Sequence, residues 1–334
     1  MSSNPTQTGG IRWGIIGCGN VTEKKSGPAF SKVTGSELVA VMRREGGKAK
    51  DYAQRHGVAK WYDDAAQLIN DPDINAIYVA TPPGPHEAYA IAAMEAGKPV
   101  YVEKPMSTDI ASCVRMQAVA HRLNGKLSIA HYRRALPMFL KIKELVKDRS
   151  IGEIRTVRIS MLQQDKSAAT AATGTNWRVD PAIAGAGLFY DLAPHQLDLV
   201  LYFFGNPVSA YGISANQAGL YKAEDVVTGV MELPNRVLFN GQWCYTVGAG
   251  AEEDLFEIIG SKGKISFPVF GSVVTITKGD HAEQLFFEPP AHIQQPMISK
   301  VVDYFSGKGS NPCSAADAIE SMKVMEIFAY GHKK

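Results

Sequence analysis

This sequence has few cysteines, little net charge and no long apolar run. Each of these features argues against a class of protein. Four cysteines are scattered through 334 residues without a C-x-x-C pair, which argues against a disulfide framework and against a zinc site, so no metal is expected. The 35 Lys and Arg residues nearly balance 33 Asp and Glu residues. A protein of this charge is not predicted to present a basic face to nucleic acid or to an anionic membrane.

Long hydrophobic segments are also missing. The uncharged stretch 199–221 contains Gly205, Asn206 and Pro207, so it does not predict a membrane span. Residues 1–10 are polar and lack the apolar core of a signal peptide. We therefore expect a cytoplasmic protein, and its length predicts two domains.

The first half alternates apolar strand-like runs with helical stretches. The predicted strands are 11–16, 37–42, 75–80, 99–102 and 127–130, and helices are predicted over 46–56, 64–70, 87–97 and 109–124. This alternation predicts a Rossmann-type, doubly wound parallel sheet, which we assign to a dinucleotide-binding domain over residues 1–130.

A glycine-containing turn follows the first strand directly. Two glycines in such a place permit a tight turn and let backbone N–H groups approach a pyrophosphate. The candidate cofactor residues here are Gly17, Cys18, Gly19, Asn20 and Val21. Thr22 stands where the third glycine of the common fingerprint would be, so a plain turn is the alternative interpretation.

The residues after the second strand indicate which cofactor binds. A carboxylate at that point would accept hydrogen bonds from an NAD ribose, whereas here the strand runs into Arg43 and Arg44. Two guanidinium groups suit a 2′-phosphate, so NADP is preferred over NAD. The alternative is a pair of solvated arginines at a strand end.

Two further strand ends contribute candidate residues. The proline-rich segment after the third run, 75–80, predicts a rigid loop beside the nicotinamide ribose, with Thr81, Pro82 and His86 as candidates. The alternative is a simple connection in which His86 opens the next helix. The next run ends at Glu103-Lys104-Pro105, and Lys104 is a candidate for proton transfer because lysine pKa values shift readily on burial. A surface salt bridge is the alternative there.

The second half has a different pattern, because consecutive strands follow one another with hairpin-like gaps. Residues 131–334 therefore predict an α+β substrate-binding domain with a large, mostly antiparallel open sheet. Helices are too few to cover both faces of such a sheet. We expect a homodimer or homotetramer that buries the exposed face.

One helix, predicted over 188–204 after Gly185-Ala186-Gly187, carries polar residues at helical spacing. Asp191, His195 and Asp198 are four and three residues apart, so they are predicted to lie on one face. A histidine oriented by a carboxylate can act as a general acid or base. The alternative is a helix-capping aspartate with a core histidine, and no cysteine or further histidine nearby supports a metal site.

These motifs together resemble the Gfo/Idh/MocA oxidoreductase family over nearly the whole chain. The resemblance implies a nicotinamide held between a Rossmann domain and an α/β domain whose open sheet often forms the oligomer interface. It also implies that Lys104, Asp191 and His195 act at the site of hydride transfer, and that Glu103 belongs to the cofactor-binding motif. Trp177 and Arg178 resemble a pair found near cofactor or substrate in related sequences. The chain departs from the family pattern at Ala186 and Arg43.

The activity that the resemblance implies is hydride transfer between NADP, or NAD, and a carbinol or carbonyl carbon of a sugar, polyol or similar cyclic alcohol. Two other functions stay open at this point. One is a glycoside hydrolase that retains its NAD. The other is a non-catalytic sensor that binds a dinucleotide and a protein partner.

Overall fold

Fully buried strands form the centre of the first half. The structure is a computed structural model that describes residues 10–165 and 177–331. The six strands are β1 (Ile11–Ile16), β2 (Ser36–Met42), β3 (Lys60–Tyr62), β4 (Ala76–Val79), β5 (Val100–Val102) and β6 (Leu127–Ile129). They are parallel and lie in the order β3-β2-β1-β4-β5-β6, which confirms the predicted doubly wound sheet.

Helices connect these strands. They are α1 (Asn20–Lys24), α2 (Gly27–Phe30), α3 (Gly46–His56), α4 (Ala65–Asn70), α5 (His86–Glu95) and α6 (Ile110–Leu123). The sequence analysis missed β3, a three-residue edge strand whose side chains are half-buried or exposed. Such a segment has too few apolar residues to produce a strand pattern, and pairing with β2 defines it.

The second half contains an eight-stranded sheet. Its strands are β7 (Ile154–Leu162), β8 (Ser209–Ala215), β9 (Val226–Leu233), β10 (Val237–Cys244), β11 (Glu253–Gly260), β12 (Gly263–Phe267), β13 (Val273–Lys278) and β14 (His281–Phe286). Their order is β14-β13-β12-β11-β7-β10-β9-β8. The β7–β10 pair is parallel and the other pairs are antiparallel, so the sheet is mostly antiparallel as predicted.

The remaining helices include α7 (Pro137–Lys147), α8 (Pro181–Ala184), α9 (Leu188–Leu192), α10 (Pro194–Phe204), α11 (Gln295–Phe305) and α12 (Ala315–Tyr330). The prediction of one helix over 188–204 was wrong, because α9 ends at Leu192 and α10 begins at Pro194. Proline has no N–H to donate to the preceding turn, so it occupies a first helical position.

The chain returns to the first sheet near its end. The Phe305 ring of α11 lies 5.5 Å from the Trp13 ring of β1, and Lys126 Nζ donates to the Tyr304 and Phe305 carbonyls. A segment assigned to the second domain therefore packs on the first sheet. The domain division at residues 130 and 131 stays a prediction.

Two other predictions concern segments rather than the sheets. Within residues 10–165 and 177–331, no helix combines the length and the apolarity needed to cross a membrane. The Ala- and Thr-rich composition of 167–175 predicts a mobile loop that lines the substrate pocket, and this stretch lies outside the described residues.

A row of glycines crosses the second sheet beneath α12. Gly212 of β8 is paired with Gly229 of β9, which is paired with Gly241 of β10. A Cβ atom at Gly212 would overlap the backbone Cα of Phe328, and one at Gly229 would overlap the Phe328 ring. The absence of side chains lets α12 approach the sheet closely.

Substitution of Gly212 by alanine should therefore lower the free energy of unfolding by about 1–3 kcal/mol, the usual cost of overpacking. The obstacle is helix backbone, which cannot rotate away as a side-chain end can. Urea unfolding measures the change. Gly248→Ala is the matched control, because a Cβ atom there meets no atom within 4 Å, and equal stabilities of the two variants would contradict this packing.

Candidate active site

The carboxyl ends of β1 and β4 meet where the strand order of the first sheet reverses. Gly17, directly after β1, has φ of +95°, and a Cβ atom there would lie 2.7 Å from Thr81 Cγ2 and 2.8 Å from Thr81 N. The N–H groups of Gly17 and Cys18 donate to the Met42 carbonyl at the end of β2. Glycine is thus required at position 17 by both its backbone conformation and its neighbours.

The residues of this turn fit a dinucleotide. Gly19 precedes α1, and a Cβ atom there would find only the Gly17 carbonyl oxygen, at 3.9 Å, so the backbone is open to a ligand. Among residues 10–165 and 177–331, the buried Thr81 Oγ1 has no hydrogen-bond partner. Burial raises the pKa of the Cys18 thiol to about 11, so this sulfur is not a reactive thiolate at neutral pH. The Cys18 backbone holds the turn through the Met42 carbonyl and Arg43.

The two arginines after β2 are placed differently. Arg43 Nη1 donates to the Cys18 carbonyl at 3.4 Å, and Arg43 Nη2 lies 3.8 Å from Glu45 Oε1. Arg44 is exposed. The structure thus brings Arg43 against the glycine turn, where a ribose-reading side chain is expected.

His86 is held inside the protein at the first turn of α5. It is fully buried, Nε2 lies 2.8 Å from the Thr81 carbonyl oxygen, and Nδ1 lies 3.1 Å from that of Pro105. Burial lowers its pKa. Its ring connects the loop after β4 to the loop after β5. These contacts hold Thr81, and with it the adjacent Pro82, in position.

Glu103 is enclosed by donors from three parts of the chain. The Tyr78 hydroxyl donates to Oε1, Gln294 Nε2 donates to Oε1 at 2.7 Å, and the Lys104 N–H donates to Oε2 at 3.1 Å. Glu103 is therefore occupied by protein contacts and orients the backbone of Lys104. Gln294 was missed in the sequence because it lies 191 residues from Glu103.

Lys104 reaches across to the second half of the chain. Its Nζ donates to Asp191 Oδ1 at 3.0 Å and to the Asp191 carbonyl at 2.6 Å. Arg178 Nε donates to Asp191 Oδ2 at 2.9 Å, and the Arg178 guanidinium lies 4.4 Å from the Trp177 ring centre. Burial alone would raise the pKa of Asp191, but Lys104 and Arg178 outweigh it and lower the pKa to about 2.

The predicted Asp191–His195 pair does not form. Asp191 lies on α9 and binds Lys104 and Arg178, whereas His195 Nδ1 on α10 has no hydrogen-bond partner among residues 10–165 and 177–331. Ala193 keeps helical backbone angles between the two helices, so the partners of the Asp191 carboxylate, and not a change of spacing, keep it from the imidazole. Asp191 is placed by a turn in which Gly185 and Gly187 both have positive φ. Ala186 lies between these glycines and does not have a positive φ, so an alanine is compatible with the turn.

His195 sits in an aromatic, positively charged environment. Its ring packs edge-on against Tyr132 at 5.2 Å and Phe270 at 5.6 Å. Burial, followed by the charges of Lys104 and Arg133, lowers the pKa of His195 well below its usual value. The imidazole is therefore neutral at physiological pH and able to accept a proton.

His131 is buried like His86 and His195, and it was not predicted from the sequence as a site residue. It follows β6, just as Lys104 follows β5, and this strand-end position was the available signal. Asp198, predicted to share a face with His195, instead binds both Nε and Nη2 of Arg134, with His131 Nδ1 3.6 Å away. Burial lowers the pKa of His131. Within the described residues, no cluster of three potential metal ligands occurs.

Comparisons with known proteins agree with this arrangement. Residues 11–131 match the model of an oxidoreductase family with an NAD-binding Rossmann fold, and residues 139–266 match the GFO/IDH/MocA C-terminal domain. The chain belongs to the Gfo/Idh/MocA oxidoreductase family. Oxidoreductase P35 of Formosa agariphila is 43% identical to this oxidoreductase over 318 residues, covering 95% of this chain and 98% of that protein.

More distant relatives have named substrates. Inositol 2-dehydrogenase of Acidothermus cellulolyticus is 26% identical over 275 residues, which cover 81% of this chain and 76% of that protein. The solved structure of levoglucosan dehydrogenase in complex with NADH and levoglucosan superposes with a TM-score of 0.84 at 20% identity and covers 97% and 98% of the two chains. At 20% identity, the superposition shows that this chain has the same fold as levoglucosan dehydrogenase.

The buried histidines predict acid sensitivity of this Gfo/Idh/MocA protein. Because the pKa values of His86, His131 and His195 are lowered by folding, the unfolded chain binds more protons below about pH 6.5. Each such histidine lowers stability by up to about 1.4 kcal/mol per pH unit, or about 4 kcal/mol for three. Urea unfolding between pH 7.5 and 5 should show this loss below pH 6.5.

The decline should be shallower in His195→Gln, which removes one of the three groups. The exposed His281 supplies the control, and His281→Gln should retain the slope of the unmodified protein. A free energy of unfolding that stays constant from pH 6.5 to pH 5 would contradict the assignment of neutral buried histidines.

Proposed function

We propose that this oxidoreductase interconverts a hydroxyl and a carbonyl group on a sugar, polyol or related cyclic alcohol, with NADP(H) preferred over NAD(H). The observation that carries the proposal is the meeting of Lys104, from a strand end of the first sheet, with Asp191 near a buried neutral His195. Two similar proteins are named inositol 2-dehydrogenase and levoglucosan dehydrogenase, and these names support a sugar or polyol as the substrate.

The cofactor would be held by the strand ends of the first sheet. Gly17 and Cys18 would shape the turn and the backbone N–H groups of 19–21 would face the pyrophosphate. Thr81 and Pro82 would lie beside the nicotinamide ribose, and Arg43 would meet the 2′-phosphate, with Arg44 at the rim. Bound nicotinamide supplies or accepts the hydride. The residues of the chain position the cofactor and the substrate and stabilise the charge that develops during the reaction.

Side chains from both halves of the chain take part in the transfer of the substrate hydroxyl proton. In the oxidation direction, neutral His195 would accept the proton of the substrate hydroxyl. Lys104 would donate a hydrogen bond to the same oxygen and stabilise the charge that develops there. Asp191 would hold Lys104 in place through its carboxylate and its backbone carbonyl, and Arg178 would hold Asp191.

Lys104→Ala and His195→Ala should each lower kcat by about 10²-fold or more, the scale of a lost acid/base or charge-stabilising group. The double variant should lose less than the product of the single losses, because the two residues act on one oxygen. Asp191→Asn should be milder, since the Asp191 carbonyl still accepts from Lys104. Absorbance of reduced nicotinamide, first screened over sugars and polyols, measures these rates.

Cofactor affinity provides the control in this series, because it should change much less than kcat. Lys141→Ala, an exposed lysine paired with Glu144, should keep the unmodified rate. Near-normal kcat in a folded Lys104→Ala or His195→Ala protein would show that the residue concerned is not catalytic. Absence of reduced cofactor with every substrate would argue against the proposed reaction.

Arg43 should give NADP(H) the tighter binding by about 1–3 kcal/mol, the range for a charge-assisted hydrogen bond. Dissociation constants of both cofactors from fluorescence quenching test this. Arg43→Asp should reverse the preference. Arg44→Asp should change it less, because Arg44 is exposed while Arg43 contacts the Cys18 carbonyl. Tighter binding of NAD(H) by the unmodified protein would refute the preference.

We further propose that the uncovered face of the second sheet joins copies of this chain into a dimer or tetramer. That face presents Tyr211 and Ile213 of β8, Val230 of β9 and Leu238 of β10, all exposed. The register places Tyr211 opposite Val230, so these side chains form one patch. Contiguous apolar patches of this kind usually mark interfaces.

Light scattering at micromolar concentration should give two or four times the mass of one chain. Val230→Glu should shift the protein towards monomer, because the charge would be desolvated in the interface. Val114→Glu is the control, since Val114 is similarly exposed, 46% against 48%, but lies on α6. A monomeric unmodified protein would exclude this assembly.

A further inference from the structure

A buried arginine without an acidic partner lies beside the active site. Arg133 and its neighbour Arg134 are equally enclosed, each 7% exposed. Arg134 is neutralised by a two-point contact with Asp198. Arg133 has no Asp or Glu oxygen within 4 Å among residues 10–165 and 177–331, and its Nε has no hydrogen-bond partner. Buried charges are normally paired, so this one indicates a missing partner.

The surroundings of Arg133 stabilise the cation without neutralising it. Nη1 donates to the Val269 carbonyl at 2.6 Å, and the guanidinium lies 4.4 Å from the ring centre of Phe270 and 5.7 Å from that of Phe139. Aromatic faces attract a cation but carry no net charge. The nearby Asp254 carboxylate accepts the N–H groups of Val269 and Phe270, so its oxygens are occupied by the backbone.

Arg133 also lines a cavity of about 220 Å³, several times the roughly 30 Å³ that one water occupies in the liquid. The wall is mostly apolar, with Leu136, Met138, Phe139, Phe270, Phe287 and Ile293 among its members. It also includes Gly271, Ser272 and the exposed Glu288. Lys104, Asp191 and His195 do not line it, so this space is separate from the reacting groups.

We propose that this cavity binds a small organic anion, a carboxylate whose apolar body lies among the aromatic side chains. Arginine engages carboxylates through two parallel N–H groups. Val269 accepts from Nη1, and no acceptor among the described residues takes the N–H of the enclosed Nε, so the guanidinium still has donors for a carboxylate. Such a ligand would supply the charge that the protein does not, while the apolar wall would exclude a simple inorganic ion.

The site is placed to influence His195. The Phe270 ring contacts the Arg133 guanidinium and also packs edge-on against the His195 ring. A ligand held by Arg133 therefore touches the same ring that bounds the buried imidazole. This inference goes beyond the proposed function, because binding to Arg133 does not depend on which alcohol is the substrate.

Benzoate is a suitable probe, and benzamide is its neutral counterpart of the same shape. Isothermal titration calorimetry on the full-length protein should show benzoate binding at least about tenfold more tightly than benzamide, because only benzoate forms charge-assisted hydrogen bonds. Arg133→Met, which keeps length but not charge, should weaken benzoate by a similar factor. Arg133→Lys should weaken it less.

Three further variants locate the binding. Lys104→Ala should leave benzoate affinity unchanged if the ligand lies outside the active site. Arg122→Met removes an exposed arginine of α6 and should also have no effect. Glu288→Gln should tighten binding several-fold, because it removes a like charge from the cavity wall.

Equal affinities for benzoate and benzamide would overturn the proposal without requiring any variant to fold. Loss of benzoate binding in Lys104→Ala, with retention in folded Arg133→Met, would assign the anion to the active site instead. Loss in Arg133→Met alone, together with the gain in Glu288→Gln, would establish the site.

Discussion

The ion pair between Lys104 and Asp191 is the contact on which the site depends. It joins the end of β5, in the first sheet, to α9, which follows the turn at Gly185 and Gly187, across 87 residues of sequence. Both partners are largely enclosed, at 10% and 24% side-chain exposure. Without Asp191 the Lys104 ammonium would lose its carboxylate partner, and without Lys104 the Asp191 carboxylate would keep only Arg178 of its two cations, so the two halves of the chain create the site together.

A second layer of contacts sets the position of each partner. Glu103 receives donors from Tyr78 of β4, from Gln294 before α11 and from the Lys104 backbone. The Gln294 N–H also donates to the Lys25 carbonyl just after α1. One buried residue, Gln294, therefore links the helix of the glycine turn through its backbone, and the segment that carries Lys104 through its side chain. The proposed cofactor site and the proposed reacting groups are thus connected through the protein interior.

Much of this could be predicted from the sequence because it depends on local pattern. Strand ends can be located from apolar runs, and parallel strands deliver their ends to one edge, so the turn at Gly17, the Thr81 loop and Lys104 were expected to be neighbours. The family resemblance was confirmed by the matches over both halves. The short edge strand β3 was missed because pairing, rather than pattern, defines it.

The sequence could not show which hydrogen-bond or ion-pair partner each polar side chain has. Helical spacing suggested that Asp191 orients His195, yet the Asp191 carboxylate binds Lys104 and Arg178. Asp198, assigned to the same face, neutralises Arg134, and Gln294 has no local signal for its contact with Glu103. These pairings are decided by which segments meet in three dimensions.

The most direct test of the account is a double-mutant cycle between Lys104 and Asp191. The free energy of unfolding is measured for the unmodified protein, Lys104→Met, Asp191→Asn and the double variant, with the exposed Lys141–Glu144 pair as reference. Removing one partner leaves the other charge enclosed, so the account predicts a coupling of about 1–3 kcal/mol for Lys104 and Asp191, against about 0.5 kcal/mol or less for the reference pair. Effects of Lys104→Met and Asp191→Asn that add within about 0.5 kcal/mol would contradict it.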